Sequence, residues 1–220
     1  MTYEQYLQEQ QAAFAEEHSD ECCFVENQAE GIFVRGHWIS MNIAIFASGT
    51  GTTLQTLIDR QAELGYHVAL VVANRECQAV ERAQKHHIPT LQTKDWTAID
   101  TALSNSSIQL VVLAGFLAII PHWICEKWNK RIINIHPSLL PKYGGKGMYG
   151  IHVQEAVLAA KEQEAGCTVH YVSAEIDGGS IIAQAKVDVL PEDTPETLAQ
   201  RIQEQEKILL PRVIDELAHL

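Results

Sequence analysis

Met41-Asn42-Ile43-Ala44-Ile45-Phe46-Ala47 runs directly into Ser48-Gly49-Thr50-Gly51-Thr52-Thr53, and how this stretch is read decides the fold. The first part is almost continuously apolar, the pattern of a strand buried on both faces. The second is a glycine-bearing turn leading into an amphipathic segment, Thr53–Leu64. A buried strand, a tight turn and a helix form the first half of a parallel β–α–β unit. Glycine lets the backbone approach a ligand closely, and a helix N-terminus offers free N–H groups and a positive dipole end to an anion. The loop lacks the lysine of a Walker A loop and the third glycine of a dinucleotide fingerprint. Taken alone, phosphate binding and a plain strand-to-helix turn are equally good readings of it.

The same alternation continues outward. Asn42–Ala47, His67–Val72, Leu110–Ala114 and Arg131–His136 read as strands, with helices at Thr53–Leu64, Ala79–His87 and His122–Trp128. The pattern then changes: Thr168–Ser173 and Ser180–Val189 lie a short Asp-Gly-Gly turn apart, which predicts an antiparallel extension of the sheet. Thr194 is a good N-cap with Pro195 at the first helical position. Leu198, Ile202, Leu209 and Val213 continue as a helical stripe, which Pro211 is expected to kink or shorten. The expected fold is α/β: a Rossmann-like, mostly parallel sheet flanked by helices, with a long C-terminal helix.

At 220 residues the chain suits one substantial domain. Its net charge of −12 argues against a nucleic-acid or acidic-membrane partner, although a local basic site can still hold a small phosphate. Five cysteines (Cys22, Cys23, Cys77, Cys125, Cys167) with no C-x-x-C spacing point to reduced thiols rather than a disulfide framework or a zinc site. The longest apolar run, Leu110 to Ile120, is eleven residues, against the ~20 a membrane-spanning helix needs. The N-terminus has neither a basic nor an apolar signal region, so a cytoplasmic location is expected. Residues 1–40 are rich in Glu and Gln, and Tyr3, Tyr6, Leu7 and Phe14 suggest a short surface helix followed by irregular chain.

Two further motifs carry chemistry. Asn134-Ile135-His136-Pro137-Ser138-Leu139-Leu140-Pro141 ends a strand, and ligands of open α/β sheets bind beyond the carboxyl ends of strands. Residues i and i+2 share a face, so Asn134 and His136 can address one substrate atom. An amide N–H beside an imidazole can stabilise an oxyanion and relay a proton; a histidine that merely caps the strand end is the plainer alternative. Glu175-Ile176-Asp177-Gly178-Gly179 is either a simple turn or a device that sets the Asp177 carboxylate against His136 and favours the protonated imidazole. Sequence separation alone leaves both open.

Together these motifs resemble the phosphoribosylglycinamide formyltransferases, folate-dependent one-carbon transferases. The resemblance covers residues 41 to about 216 and rests on Ser48–Gly51, Val111–Phe116, Asn134–Pro141 with Lys142-Tyr143, the Asp177 turn, and Arg201 to Glu206. It implies the formyltransferase fold and transfer of a formyl group from 10-formyltetrahydrofolate to the amine of glycinamide ribonucleotide, with no metal. It places catalysis on Asn134, His136 and Asp177. The ribonucleotide site falls on Gly51, Thr52, Thr53, Gln203 and Glu206. The folate site falls on Arg82, Leu117, Ala118, Ile119, Ile120, Asn134, Ser173, Ala174, Glu175, Ile176 and Asp177.

There are departures from the family pattern. Thr53 stands where Asn is common, Ala118 where many relatives carry a basic residue, and the stretch Gly144 to His152 is a variant. In that stretch Lys146 reads as a solvated loop lysine or as a contact to an anionic part of a ligand. The alternatives are a formyltetrahydrofolate deformylase, which normally has a preceding regulatory domain, and an inactive folate- or nucleotide-binding module. The expected partners are small molecules only, with the chain a monomer or homodimer. Residues 41–220 are expected to form the catalytic domain. Residues 1–40 have no assigned role: either translation starts at Met41, or the segment packs on the domain or mediates assembly.

Overall fold

The computed structural model describes residues 33–34, 37–38 and 40–220. The helix expected from Tyr3, Tyr6, Leu7 and Phe14 lies outside them. A two-residue antiparallel pair, β1 (Phe33–Val34) and β2 (His37–Trp38), precedes the main sheet.

The main sheet contains β3 (Met41–Ala47), β4 (Tyr66–Ala73), β5 (Thr90–Gln92), β6 (Leu110–Leu113), β7 (Ile132–His136), β8 (Glu164–Tyr171) and β9 (Ile181–Asp188), in the order β5-β4-β3-β6-β7-β8-β9. Strands β3 to β7 pair in parallel, while β8 and β9 join antiparallel. The helices are α1 (Thr52–Arg60), α2 (Gln78–Lys85), α3 (Trp96–Asn105), α4 (His122–Lys127), α5 (Ile151–Ala159) and α6 (Pro195–Ala218).

Alternation along β3 explains the layering. Ile43, Ile45 and Ala47 face a core completed by Leu54 and Leu57 of α1, Ala79 and Ala83 of α2, and Leu198, Ile202, Leu210 and Val213 of α6. Ala44 and Phe46 face a second core, with Ile99 and Leu103 of α3 and Ile124 of α4. Both faces are covered, as a parallel sheet requires.

The structure departs from the sequence expectation at several points. The three-residue edge strand β5 and helices α3 and α5 come in addition to the expected elements. The β8–β9 connection spans residues 172–180, longer than a tight turn, because β8 ends at Tyr171. Helix α6 is not shortened at Pro211. Proline inside a helix costs about 3 kcal/mol, but Leu210, Pro211, Val213 and Ile214 are all buried, so packing offsets the lost backbone bond. The Thr194 cap with Pro195 behind it is present, as a reciprocal pair with Thr197.

Candidate active site

Chain direction diverges at β3 and β6. From β3 the chain passes to β4 on one side, and from β6 it passes to β7 on the other. The loops leaving the carboxyl ends of two such strands part from each other and leave a crevice, the usual ligand position in open α/β sheets. A cleft of about 680 Å³ opens there, a volume suited to small molecules.

Ser48 fixes how the two loops diverge. It is buried, donates its hydroxyl to Asn74 Oδ1 at 2.8 Å and accepts the Leu117 N–H at 3.0 Å. One end of the cleft is the loop Gly49 to Thr53, closed by Ala199, Gln203 and Glu206 of α6 and by Gly150, Ile151 and Gln154 at the start of α5. Gln203 Nε2 lies 3.3 Å from Thr52 Oγ1. Helix α1 starts from Gly51 in the left-handed region (φ 72°) without a side-chain cap, so its first N–H groups have no intrahelical partner. Burial pushes the Glu206 carboxyl up to about 7, and its charge adds to burial in raising the Cys167 thiol to about 12.

The other end is apolar. Leu117 (54% exposed), Ile119 (73%) and Ile176 (44%) edge it, with Ala118, Ile120 and the segment Ser173–Asp177 along its wall. Isolated exposed apolar residues need no explanation, but a cluster at a cleft mouth marks a binding surface.

Between the two ends lies a linked set of polar groups. His136 is 4% exposed, and its Nε2 sits 2.8 Å from the Tyr143 carbonyl. A carbonyl only accepts, so Nε2 carries the hydrogen and Nδ1 is the nitrogen that faces Asp177 Oδ2, at 3.7 Å. Asp177 Oδ2 also accepts the Gly145 N–H at 2.9 Å. The Asp177 backbone adopts a left-handed conformation (φ 54°), which Asp tolerates better than most residues.

His170, unmarked in the sequence reading, completes the set. Its Nδ1 donates to the Tyr171 carbonyl at 2.9 Å. Its Nε2 lies 3.1 Å from Asn134 Nδ2 and 3.7 Å from Asp177 Oδ1. Burial holds the His170 pKa below the usual histidine range, partly offset by the Tyr171 carbonyl and the Asp177 charge. The ring is therefore neutral with its hydrogen on Nδ1, and Nε2 accepts from Asn134. That bond orients the Asn134 amide and leaves its second N–H free.

The structure brings nearly all the sequence-predicted residues to this one cleft: Gly51, Thr52, Thr53, Gln203, Glu206, Leu117 to Ile120, Asn134, His136 and Ser173 to Asp177. Arg82 is the exception. It does not line the cleft; it lies on α2 with Nε bonded to the Thr50 carbonyl of the glycine loop at 2.8 Å. Lys146 is the only lysine or arginine among the described lining residues.

Residues 41–214 match the formyl transferase family. The chain is 37% identical to the phosphoribosylglycinamide formyltransferase of Haemophilus influenzae over 186 residues, covering 78% of this chain and 84% of that protein. The trifunctional purine biosynthetic protein adenosine-3 of Drosophila melanogaster is 39% identical over 186 residues, and there the match spans 78% of this chain but only 13% of its longer relative. The crystal structure of phosphoribosylglycinamide formyltransferase from Anaplasma phagocytophilum superposes with a TM-score of 0.76 at 38% identity, covering 81% of this chain and 87% of that one. With the expected fold, a cleft at the strand ends and sequence identity along nearly the whole described domain, the chain belongs to the formyl transferase family, beside its phosphoribosylglycinamide formyltransferases.

Proposed function

We propose that residues 41–220 form the catalytic domain of a cytoplasmic phosphoribosylglycinamide formyltransferase of purine biosynthesis. It moves the formyl group of 10-formyltetrahydrofolate to the amine of glycinamide ribonucleotide. The observation that carries this reading is the convergence of Asn134, His136 and Asp177 midway between a wall of unpartnered amides and an apolar mouth. A phosphorylated amine suits the first end, and a flat ring system suits the second.

The co-substrate supplies the formyl carbon and takes back the electron pair of its own nitrogen. Residues Leu117 to Ile120 and Ser173 to Asp177 hold its rings, with their apolar side chains and peptide groups. The free N–H of Asn134, aligned by His170, stabilises charge on the formyl oxygen. The imidazolium form of His136 adds a second donor to that oxygen from Nδ1, since its Nε2–H is held by Tyr143, and the Asp177 carboxylate stabilises this form. Water organised by Asp177 carries the proton released by the attacking amine to the leaving nitrogen of the co-substrate as its bond to the formyl carbon breaks. Gly51, Thr52 and Thr53 hold the phosphate, and Gln203 and Glu206 the remainder of the ribonucleotide.

The test is folate product formation with and without glycinamide ribonucleotide. Ribonucleotide-dependent turnover is expected, whereas equal turnover without it would mean hydrolysis and refute the assignment. Loss of one preorganised donor, as in Asn134→Ala, is expected to slow turnover about 10²–10³-fold. Folded His136→Ala and Asp177→Asn variants retaining near-normal transfer would remove the proposed centre.

A further inference from the structure

The carbonyls of the glycine loop have anchors that the proposed mechanism does not use. Four successive carbonyls are taken up by groups outside the cleft. Ser48 O accepts from Arg75 Nε at 2.7 Å, Gly49 O from Ala79 N at 3.2 Å, Thr50 O from Arg82 Nε at 2.8 Å, and Gly51 O from Gln55 N at 2.9 Å. None of the donors lines the cleft. In contrast, the amide N–H groups of Gly49, Thr50, Gly51, Thr52 and Thr53 have no hydrogen-bond partner among the described residues.

The two facts are one geometry. A trans peptide holds its C=O and N–H antiparallel, so anchoring the carbonyls of residues 48–51 on one side turns the N–H groups of residues 49–52 to the other. The result is a surface of donors only, the form of an anion-binding nest. Two of the four anchors are guanidinium groups, which remain charged at any working pH. Arg82 is held close: a Cβ on Gly51 would meet Ala79 Cα at 2.8 Å and Arg82 Cδ at 3.2 Å.

We propose that Arg82, assisted by Arg75, is a positioning residue for the phosphate of the ribonucleotide. By holding the Thr50 carbonyl, Arg82 aims the Gly51 N–H into the cleft, and its fixed positive charge sits behind the loop. Arg75 does the same for the Gly49 N–H through the Ser48 carbonyl. This rests on the functional reading above and moves Arg82 from the folate end of the site to the phosphate end.

Calorimetric binding of glycinamide ribonucleotide, ribose 5-phosphate and the dephosphorylated glycinamide riboside tests it. Arg82→Ala and Arg82→Gln are expected to weaken both phosphorylated ligands about tenfold and leave the riboside unaffected. The KM for 10-formyltetrahydrofolate and the kcat at saturation stay at wild-type values. Arg82→Lys, which keeps the charge but not the directed fork, falls between and decides the matter if circular dichroism shows the alanine variant unfolded. Equal weakening of riboside and ribonucleotide, or a rise confined to the folate KM, overturns the inference. Wild-type protein that binds neither phosphorylated ligand sinks the functional reading itself, whereas wild-type binding matched by Arg82→Ala sinks only the role of Arg82.

Discussion

Replacing Glu206 by Gln is expected to stabilise the protein at alkaline pH while weakening its grip on the ribonucleotide. Burial holds the Glu206 carboxyl protonated to about pH 7, against 4.5 for an ordinary glutamate. The difference, 7 − 4.5, is about 2.5 pH units, and at ~1.36 kcal/mol per unit it sets a ceiling of ~3 kcal/mol. The residue is half-buried in the cleft wall, and water reaching it trims the effect to ~1–2 kcal/mol. The sign follows from proton counts. Between pH 4.5 and 7 the folded state keeps a proton that the unfolded chain has lost, so stability falls as pH rises through that window and stays low above it. Glutamine is never charged and escapes this loss. Urea unfolding of both proteins at pH 4.5, 6 and 8 should show near-equal stability at the lowest pH and a growing lead for Glu206→Gln above it. A gap that is constant with pH, or one favouring the wild type at pH 8, refutes the reasoning. The same variant loses a carboxylate acceptor in the ribonucleotide end, so its KM for that substrate should rise, a stability–activity exchange of the usual kind.

His170→Phe removes the acceptor that orients Asn134, and steady-state kinetics should show kcat reduced about tenfold with little change in the ribonucleotide KM. Because burial lowers the His170 pKa, the unfolded state takes up its proton first as pH falls below about 6.5. Stability should therefore drop on acidification through that range, and less steeply in the phenylalanine variant. Gly51→Ala forces a side chain into a left-handed position 2.8 Å from Ala79 Cα. It should cost roughly 1–3 kcal/mol in urea unfolding and raise the ribonucleotide KM.

The fold was legible where burial wrote a pattern. Strand β3 is apolar on both faces, and its continuous run announces a covered parallel sheet. Strand β5 is three residues long at the sheet edge, too short for any periodicity. Helix α3 did carry a signal, the Asp95 cap that accepts from Thr97 and Ala98, whereas α5 starts from Gly150 with no side-chain cap.

The site divides in the same way. Asn134 and His136 share a strand face by local spacing alone. Asp177 joined them only through resemblance, since nothing local separates a turn aspartate from a working one. His170 was silent because its role depends on register: it lies opposite Asn134 across the antiparallel β7–β8 pair, and that alignment is a tertiary fact. Which neighbouring loop Arg82 reaches, the Thr50 carbonyl at 2.8 Å, is likewise a tertiary fact that a helical position alone does not reveal.

The Ser48 hydroxyl, with its donor and acceptor both occupied, bears on engineering. It pins the start of the glycine loop to Asn74 and to the first peptide of the segment that leads to Leu117 and Ile119. The two substrate ends are thus not interchangeable cassettes. A glycine loop grafted from a relative would have to arrive with partners at positions 74 and 117, or the apolar mouth would lose its anchor along with the graft.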